Sequence, residues 1–335
     1  TVMGRGAIPT NHPLFVGNLG MHGAYAANEA VSNCDLLFSV GTRFNDRITG
    51  KLHEFAPHAQ IVHIDIDTAS ISRNIHVDIP IVADAREALT KMTAYVEECH
   101  TKRWLSQIDA WKKEHPLTMR PNAVLSPMDI INEMNRQFDE AIIVTDVGQH
   151  QMLVAQYAEI TEKKRLIMSG GLGTMGYGFP GAIGAKLGNP DKPVIAISGD
   201  GGMQMNIQEF ATAVLEELPI ILCVFNNEYL GMVRQWQKLF YGKRYAMTNL
   251  KAGALSRRTD GQEYPEYTPD FVKLAESYGA KGLRVTKKDE IAAAFEAAKA
   301  NTKTPTLIEF IIDPEEMVYP MIKPGGTLED MIMDC

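Results

Sequence analysis

The chain has 335 residues, of which 45% are hydrophobic and 22% charged, and its formal net charge at pH 7 is −8. This acidic balance, without any basic run, argues against nucleic acid as a partner, and no apolar stretch approaches membrane-spanning length. The four cysteines have no metal-ligand spacing and suit a reducing compartment, so we expect a cytoplasmic protein, or a plastid one in a eukaryote.

The first region, residues 1–99, has the pattern of part of an α/β domain. Helices are predicted at 24–31 and 85–98, and strands at 35–40 and 61–66. This number of strands is too small for a complete doubly wound sheet. Because the chain also starts at a threonine, we expect an N-terminal portion of the domain to be missing. Residues 100–122 are rich in basic residues without a continuous apolar pattern, which predicts a linker.

The second region, residues 123–335, alternates strands and helices almost to its end. Strands are predicted at 141–145, 194–198, 220–225, 282–285 and 306–312. Helices are predicted at 127–138, 149–157, 178–188, 203–217, 269–278 and 288–300. Such alternation indicates a mostly parallel, doubly wound sheet, so the predicted fold class is α/β with two such domains.

Two polar motifs follow neighbouring strands of the second region. Gly199-Asp-Gly-Gly202 follows one apolar strand, and Asn226-Asn227 follows the next. Carboxyl ends of parallel strands are where open α/β sheets bind ligands. A carboxylate and a carboxamide are hard oxygen ligands for Mg²⁺, and glycines let backbone N–H groups approach an anion. The pair of motifs predicts a diphosphate held through Mg²⁺, although a glycine turn beside an ordinary Asn-Asn loop is the alternative.

Other segments at strand ends leave two interpretations open. Asp146-Val-Gly-Gln-His150 and the glycine-dense loop Ser169–Gly178 offer further amides to an anion, or are plain connections. The segment 228–236 has helical spacing and is either a pocket wall or core. In the first region, Asp65 ends a strand, where a ribose-binding carboxylate would lie. Arg43 and Arg47 are predicted either to bind an anion or to form a salt-bridged surface loop.

Together these residues resemble acetohydroxyacid synthase (acetolactate synthase), catalytic subunit, in the thiamine-diphosphate enzyme superfamily. Gly-Asp-Gly with Asn-Asn marks only the superfamily. The narrower matches are Gly20-Met-His-Gly23, Arg43-Phe-Asn-Asp-Arg47, the loop Ser169–Gly178, Gly231-Met-Val-Arg-Gln-Trp-Gln237, and a tail beginning at Val318. The resemblance implies a partial central FAD-binding domain at 1–99 and a thiamine diphosphate domain at 123–335.

The resemblance also implies a set of site residues. The Mg²⁺ ligands would be Asp200, Asn227 and the carbonyl of Tyr229. The thiamine diphosphate site would contain Gln149, His150, Gly173, Met175, Gly199, Asp200, Gly201, Gly202, Asn227, Tyr229, Gly231 and Met232. The FAD site would contain His22, Gly41, Thr42, Arg43, Asn45, Arg47, Asp65, Ile66, Asp84 and Ala85. Asn45 departs from the Asp of many relatives.

Three residues would serve the reaction itself. Met175 would be the apolar wedge under the cofactor, Arg47 would bind the carboxylate of the second 2-keto acid, and Trp236 would form the wall that favours 2-ketobutyrate. The family's catalytic glutamate lies in the absent N-terminal domain. The implied reaction decarboxylates pyruvate and joins the product to pyruvate or 2-ketobutyrate, giving 2-acetolactate or 2-aceto-2-hydroxybutyrate in branched-chain amino acid biosynthesis.

The implied assembly is a homodimer or homotetramer, with a small regulatory subunit as a further partner. Two alternative functions stay open from the sequence. One is a relative with different acceptor chemistry, such as pyruvate oxidase, glyoxylate carboligase or an FAD-free catabolic synthase. The other is a non-catalytic fragment that only binds cofactor. A polar insertion at 249–268 is expected to be decoration and not part of the site.

Overall fold

Two parallel sheets organise the chain, and each belongs to a separate compact unit. The computed structural model describes residues 1–119, 125–251 and 269–334. The first unit consists of residues 1–2, 13–118 and the C-terminal segment that begins at Tyr319. The second unit consists of residues 3–12 and 119–318. The predicted α/β class, with mostly parallel sheets, is confirmed.

The first unit is built on a three-stranded parallel sheet in the order β1-β2-β3. Its elements before the tail are α1 (Tyr25–Ser32), β1 (Leu36–Val40), α2 (Asp46–Thr49), β2 (Gln60–Asp65), β3 (Ile79–Val82), α3 (Ala85–Thr93) and α4 (Lys102–Glu114). The central strand β2 has four consecutive buried residues because it pairs on both sides. Three β1 side chains, Leu36, Phe38 and Val40, alternate along the strand and are 52%, 41% and 39% exposed.

The second unit is built on a six-stranded parallel sheet in the order β5-β4-β6-β7-β9-β8. Its elements are α5 (Pro127–Gln137), β4 (Ala141–Thr145), α6 (Gln149–Tyr157), β5 (Lys164–Met168), α7 (Gly178–Gly188), β6 (Val194–Gly199), α8 (Asp200–Met203), α9 (Glu209–Leu215), β7 (Ile220–Asn226), α10 (Gly231–Phe240), α11 (Phe271–Ser277), β8 (Lys281–Val285), α12 (Ile291–Lys299) and β9 (Thr306–Ile311). Two buried apolar clusters cover the two faces of this sheet.

Strands β3 and β5 are absent from the sequence prediction, and both lie at a sheet edge. Strand β3 contains Pro80, which cannot donate to a ladder and is tolerated at an edge. Strand β5 begins with Lys164-Arg165, and such charged residues are typical of edge strands. Strand β3 has four residues, one of them a proline, and β5 has only three apolar residues after its charged start, so both lack the longer apolar run that predicts the buried strands.

The segment predicted as a linker at 100–122 contains helix α4. Its Trp104, Ile108 and Trp111 recur at helical spacing, and Ile108 is buried. Lys112, one of the residues that suggested a linker, donates from Nζ to the backbone carbonyl of Phe15 at 2.9 Å. The basic residues therefore occupy the polar side of a packed amphipathic helix.

The helix predicted at 203–217 is divided in the structure into α8 and α9. Between them, Asn206 donates from Nδ2 to the carbonyl of Gly176 at 2.6 Å. This side chain hydrogen-bonds to another segment, so the backbone around it forms a turn, a common competition between short polar side chains and helix.

The C-terminal tail belongs to the first unit, although the sequence prediction assigned it to the second region. It forms an antiparallel pair, β10 (Met321–Ile322) and β11 (Met331–Ile332). Ile322 and Leu328 are buried in the core that also contains Phe44 and Ile61. Apolar pattern alone does not say which of two cores a segment joins. Most of the predicted insertion at 249–268 lies outside the described residues.

Candidate functional site

A pocket in the second unit opens at the carboxyl ends of β4, β6 and β7. It is lined by Pro127, Val147, Gly148, Gln149, His150, Leu153, Met175, Gly199, Asp200, Gly201, Gly202, Phe225, Asn227, Tyr229, Leu230, Gly231, Met232, Val233, Ile312 and Glu316. The lining is mostly apolar with a few converging polar groups, as small-molecule sites usually are. Asp200 and Glu316 are its carboxylates, and none of these described lining residues is Lys or Arg.

Asp200 is buried in this pocket, and one of its two carboxylate oxygens has no hydrogen bond among the described residues. It begins α8 directly after β6, is 4% exposed, and accepts the backbone N–H of Gly201 on Oδ1 at 2.8 Å. Its Oδ2 is buried and has no hydrogen-bond partner among the described residues. Burial raises the pKa of Asp200 to about 7, and the nearby charge of Glu228 acts in the same direction. A buried carboxylate oxygen without a protein partner is suited to a cation.

The two asparagines after β7 have different surroundings. Asn226 donates from Nδ2 to Oε1 of the buried Glu309 at 2.7 Å, which ties it to strand β9. Asn227 lines the pocket, accepts the N–H of Tyr229 on Oδ1 at 3.1 Å, and donates from Nδ2 to Oε1 of Gln149 at 3.3 Å. Asn226 therefore fixes the loop to the sheet, and Asn227 faces the ligand space.

Asp146 organises the glycine-dense loop, a role the sequence prediction did not assign to it. Its Oδ1 accepts the N–H groups of Val147 at 2.7 Å and Gly176 at 3.0 Å, and its Oδ2 accepts the N–H of Gly178 at 2.8 Å. In the sequence, the signal for this role is a carboxylate directly after a predicted strand. Because Asp146 is 1% exposed and satisfied by backbone donors, it shapes the loop that carries Met175.

Three glycines of the pocket are places of close approach. A Cβ at Gly231 would lie 2.0 Å from Oε1 of Gln149, and one at Gly202 would lie 2.5 Å from Oδ1 of Asp146. A Cβ at Gly199 would lie 3.1 Å from the ring of His150. These positions hold polar side chains against the backbone, which only glycine permits.

His150 is a buried, uncharged imidazole beside these glycines. Burial lowers its pKa to about 4, partly offset by the charge of Asp146 and a hydrogen bond to the Asp146 backbone. Its Nε2 has no hydrogen-bond partner among the described residues. At neutral pH the ring therefore presents a neutral nitrogen, and not a charge, towards the pocket.

Arg234 in α10 braces the wall of the pocket that carries Tyr229. Its guanidinium lies over the rings of Tyr229 at 4.7 Å and Tyr245 at 4.6 Å. It also donates to the carbonyl of Pro314 at 3.0 Å and forms an ion pair with Glu315. Arg234 and the neighbouring Lys238 lower the pKa of Glu315 to about 2.

All the residues predicted for the diphosphate site except Gly173 line this pocket. Those that line it are Gln149, His150, Met175, Gly199, Asp200, Gly201, Gly202, Asn227, Tyr229, Gly231 and Met232. Gly173 is exposed, with a φ of +73°, and is not part of the lining. Trp236 also lies outside the lining and packs its ring against Phe240 at 5.6 Å.

The residues predicted for a nucleotide in the first unit cluster at strand ends. Gly41 follows β1 with a φ of +61° and open space around it. Asp65 ends β2 and accepts the N–H of Asp67 at 2.9 Å. Asp84 follows β3 and caps α3 by accepting the N–H groups of Arg86 at 2.9 Å and Glu87 at 3.2 Å.

The other predicted residues of the first unit are mostly accessible. Arg43 and Ile66 are exposed, whereas Thr42, Asn45 and Ala85 are half-buried. The Arg47 side chain is 60% exposed, and its Nη1 lies 3.9 Å from Oδ2 of Asp46. Burial lowers the pKa of His22 to about 4, with a further lowering from Arg47.

Comparison with known families gives two matches. Residues 146–310 match the thiamine pyrophosphate enzyme, C-terminal TPP binding domain, and residues 1–92 match the thiamine pyrophosphate enzyme, central domain. The chain belongs to the thiamine pyrophosphate enzymes. The first match contains every lining residue from Val147 to Val233, so most of the pocket lies within the family's cofactor-binding domain.

Within that class, the relatives are acetolactate synthase large subunits, which confirms the predicted resemblance. The chain is 43% identical to that of Cyanidium caldarium over 340 residues and 41% identical to that of Corynebacterium glutamicum over 339 residues. It is also 43% identical to a probable acetolactate synthase large subunit of Methanocaldococcus jannaschii. These alignments include 99% of this chain but only 52–55% of each relative, so the chain spans about half their length.

Two features are absent from the described residues. No described helix combines the length and apolar character needed to cross a membrane. No cluster of three His, Cys, Asp or Glu side chains suitable for a metal occurs there either. The pocket instead offers the carboxylates of Asp200 and Glu316 and the carboxamides of Gln149 and Asn227.

Proposed function

We propose that the protein is an acetolactate synthase that decarboxylates pyruvate and joins the product to a second 2-keto acid. The single observation that carries this proposal is the buried, unpartnered Oδ2 of Asp200 within a domain of the thiamine pyrophosphate family. Identity of 40–43% to acetolactate synthase large subunits over 99% of the chain supports the choice within that family.

The donor set of the pocket fits a magnesium diphosphate. Asp200 Oδ2 is free to bind a cation, and Asn227 Oδ1 has one hydrogen bond and room for a second interaction. Together with the carbonyl of Tyr229, they are the hard oxygen ligands that Mg²⁺ prefers alongside phosphate oxygens. We therefore propose Asp200, Asn227 and the Tyr229 carbonyl as the protein ligands of Mg²⁺.

The anionic part of the cofactor has neutral donors available in the same pocket. Gln149 and His150 begin helix α6, whose N-terminal amides favour an anion, and both side chains line the pocket. The glycine backbone at 199–202 permits close approach of a phosphate. We propose that these groups hold the diphosphate while Mg²⁺ balances its charge.

The apolar lining would supply the environment for the reaction. Thiamine diphosphate provides an electron sink for decarboxylation of one 2-keto acid and transfer of the remaining two-carbon unit to another. Met175 and Met232 line the pocket and would orient the bound cofactor and exclude water. Arg47 for the carboxylate of the acceptor and Trp236 for its side chain remain proposals from the resemblance.

FAD is proposed for the first unit. The carboxyl ends of β1, β2 and β3 lie at one edge of its parallel sheet, where α/β proteins bind nucleotides. Gly41 leaves space for backbone approach there, and Asp65 is placed to meet a ribose hydroxyl. An assembly of two or four catalytic subunits with a small regulatory subunit is likewise proposed from the resemblance.

A carboligation assay on the complete gene product tests this function. Pyruvate would be supplied alone and in competition with 2-ketobutyrate, together with thiamine diphosphate, Mg²⁺ and FAD. We expect 2-aceto-2-hydroxybutyrate as the main product in the mixture and its loss in Asp200→Ala. Peroxide or acetyl phosphate as the product would instead assign the protein to pyruvate oxidase chemistry. Cofactor binding without any carboligation would assign it a binding role only.

A further inference from the structure

Gln235 is a buried carboxamide whose neighbours connect it to the candidate metal site. It lies in α10, is 1% exposed, and is not itself part of the pocket lining. Its side chain makes hydrogen bonds in two directions, to the backbone of Val318 and to the side chain of Gln149. The site residues predicted from the sequence do not include Gln235, because its position in a helix resembles that of an ordinary core residue.

The backbone of Val318 fixes which end of the Gln235 carboxamide is oxygen. Gln235 donates from Nε2 to the Val318 carbonyl at 2.9 Å and accepts the Val318 N–H on Oε1 at 2.9 Å. A backbone N–H can only donate and a backbone carbonyl can only accept, so a flipped carboxamide would face two mismatched groups. Val318 therefore determines the direction in which Gln235 presents its oxygen.

The orientation of the Gln235 carboxamide in turn determines the orientation of the Gln149 carboxamide. The Nε2 of Gln149 donates to Oε1 of Gln235 at 2.9 Å and to the carbonyl of Glu316 at 3.1 Å. Because Nε2 of Gln149 donates to these two acceptors, Oε1 of Gln149 lies on the opposite side of the carboxamide. That oxygen lies in the space a Cβ at Gly231 would occupy, 2.0 Å from the position of such a Cβ.

The last step reaches Asn227, which lines the pocket. Oε1 of Gln149 accepts from Nδ2 of Asn227 at 3.3 Å, so the nitrogen of Asn227 faces Gln149. The Tyr229 N–H, at 3.1 Å from Oδ1 of Asn227, favours the same orientation. The oxygen of Asn227 is consequently directed away from Gln149, and its nitrogen is kept from the position of a cation ligand.

We infer that Gln235 is a positioning residue, which orients the carboxamides of Gln149 and Asn227 so that Asn227 presents oxygen to Mg²⁺. This inference rests on the proposed magnesium diphosphate site. It assigns a function to a residue that touches neither metal nor cofactor. Three carboxamides in series carry the orientation from the Val318 backbone to the ligand, and each one is held by its neighbours.

The test measures Mg²⁺ binding by calorimetry at saturating thiamine diphosphate. Gln235→Leu keeps the approximate volume and removes both polar ends, and we expect Mg²⁺ binding about tenfold weaker. The matched control is Gln237→Leu, in the same helix. Gln237 also donates to a backbone carbonyl, that of Ala246 at 3.0 Å, but lies outside the pocket. The control is expected to bind Mg²⁺ within about twofold of the parent.

A second comparison separates orientation from general loosening of the fold. Asn227→Asp has two equivalent oxygens, so its presentation of oxygen does not depend on orientation. In that background Gln235→Leu is expected to change Mg²⁺ binding by less than about twofold. An undiminished tenfold effect there would overturn the inference. In the apoprotein, Gln235→Leu and not Gln237→Leu should also accelerate amide hydrogen exchange at Val318.

The other possible results also support or refute the positioning role of Gln235. If Gln235→Leu does not fold, Gln235→Glu is the alternative, because its protonated form keeps an O–H for the Val318 carbonyl and an oxygen for the Val318 N–H and Gln149. We expect Mg²⁺ binding within about threefold of the parent, and a larger loss in that variant contradicts the inference. Unchanged Mg²⁺ binding in Gln235→Leu refutes the positioning role while leaving the magnesium site intact. Failure of the parent protein to bind Mg²⁺ with thiamine diphosphate refutes the proposed function itself.

Discussion

The strand-end edges of the two sheets have the same topological position but use their carboxylates differently. In the second unit, Asp200 follows β6 and keeps a buried Oδ2 without a partner among the described residues. In the first unit, Asp65 and Asp84 follow β2 and β3 and accept backbone N–H groups of their own turns. The comparison teaches that a strand-end carboxylate indicates a cation site when it is buried and one of its oxygens has no partner within the protein.

The largest expected effect is the loss of metal-dependent cofactor binding in Asp200→Ala. Removing the one carboxylate ligand should weaken Mg²⁺-dependent thiamine diphosphate binding by at least about 100-fold. Asp65→Ala, at the corresponding edge of the other sheet, should leave that affinity within about twofold. Calorimetric titration of both variants checks the comparison, and equal losses in the two would show that position alone matters.

Asp200→Asn should stabilise the protein when Mg²⁺ is absent. Because the pKa of Asp200 is raised from 3.8 to about 7, the folded state binds more protons than the unfolded state between those values. Stability of the parent therefore falls as pH rises through that range. The gain from Asp200→Asn should be larger at pH 8 than at pH 5 by roughly 2 kcal/mol. Urea unfolding at the two pH values measures it, and a pH-independent gain would contradict this account.

Replacing a glycine by alanine should reduce stability more in the pocket than at the strand-end edge of the first unit. Gly231→Ala places a Cβ against Gln149 and Asn227, so we expect a loss of about 2 kcal/mol in stability and about tenfold in cofactor affinity. Gly41→Ala meets open space and only strains a positive φ, which costs about 1 kcal/mol. Thermal unfolding and titration of both variants would show whether crowding or backbone strain dominates.

Asp84→Ala tests whether that carboxylate serves mainly as a cap. Loss of its two hydrogen bonds to the start of α3 should reduce stability by about 1 kcal/mol. Asp84→Asn retains a capping oxygen and is the control, expected to be nearly neutral. Chemical denaturation measures both variants. If FAD binding fell strongly in Asp84→Asn, the carboxylate would have a ligand role after all.

The smallest expected effect concerns the ion pair of Arg234 with Glu315. The pKa of Glu315 is lowered from 4.5 to about 2, so its contribution is present above pH 4.5 and disappears as pH falls towards 2. Since the Glu315 side chain is 42% exposed, screening reduces the contribution to about 1 kcal/mol. Glu315→Gln should show this loss at pH 7. Glu54 in the first unit forms an exposed ion pair with Lys51, and Glu54→Gln should lose less than about 0.5 kcal/mol. Urea unfolding distinguishes the two variants.

The sequence predicts the buried strands of both sheets and most of the pocket. Strands such as Val194–Gly199 and Ile220–Asn226 are apolar runs because they are covered on both faces, and their following motifs carry the ligand chemistry. Helix periodicity and glycine turns predict the elements between them. These are local properties, so they are readable from neighbouring residues.

What the sequence does not predict depends on distant contacts. Edge strands β3 and β5 have only short apolar runs, and the tail from Tyr319 joins a core whose other buried residues lie between Phe44 and Val77. The hydrogen bonds of Asp146 to the glycine-dense loop and the chain of carboxamides from Gln235 to Asn227 join segments 30 to 86 positions apart. Spacing along the chain carries no information about such hydrogen bonds.

The absence of Lys and Arg from the described lining of the pocket has a consequence for the living cell. A diphosphate brings several negative charges to a site whose own carboxylates are Asp200 and Glu316. Since no described lining residue is a cation that could balance them, the divalent ion supplies the countercharge. Under the proposed function, cofactor occupancy therefore tracks the free magnesium concentration. A fall in that concentration would release the cofactor before the fold itself is affected.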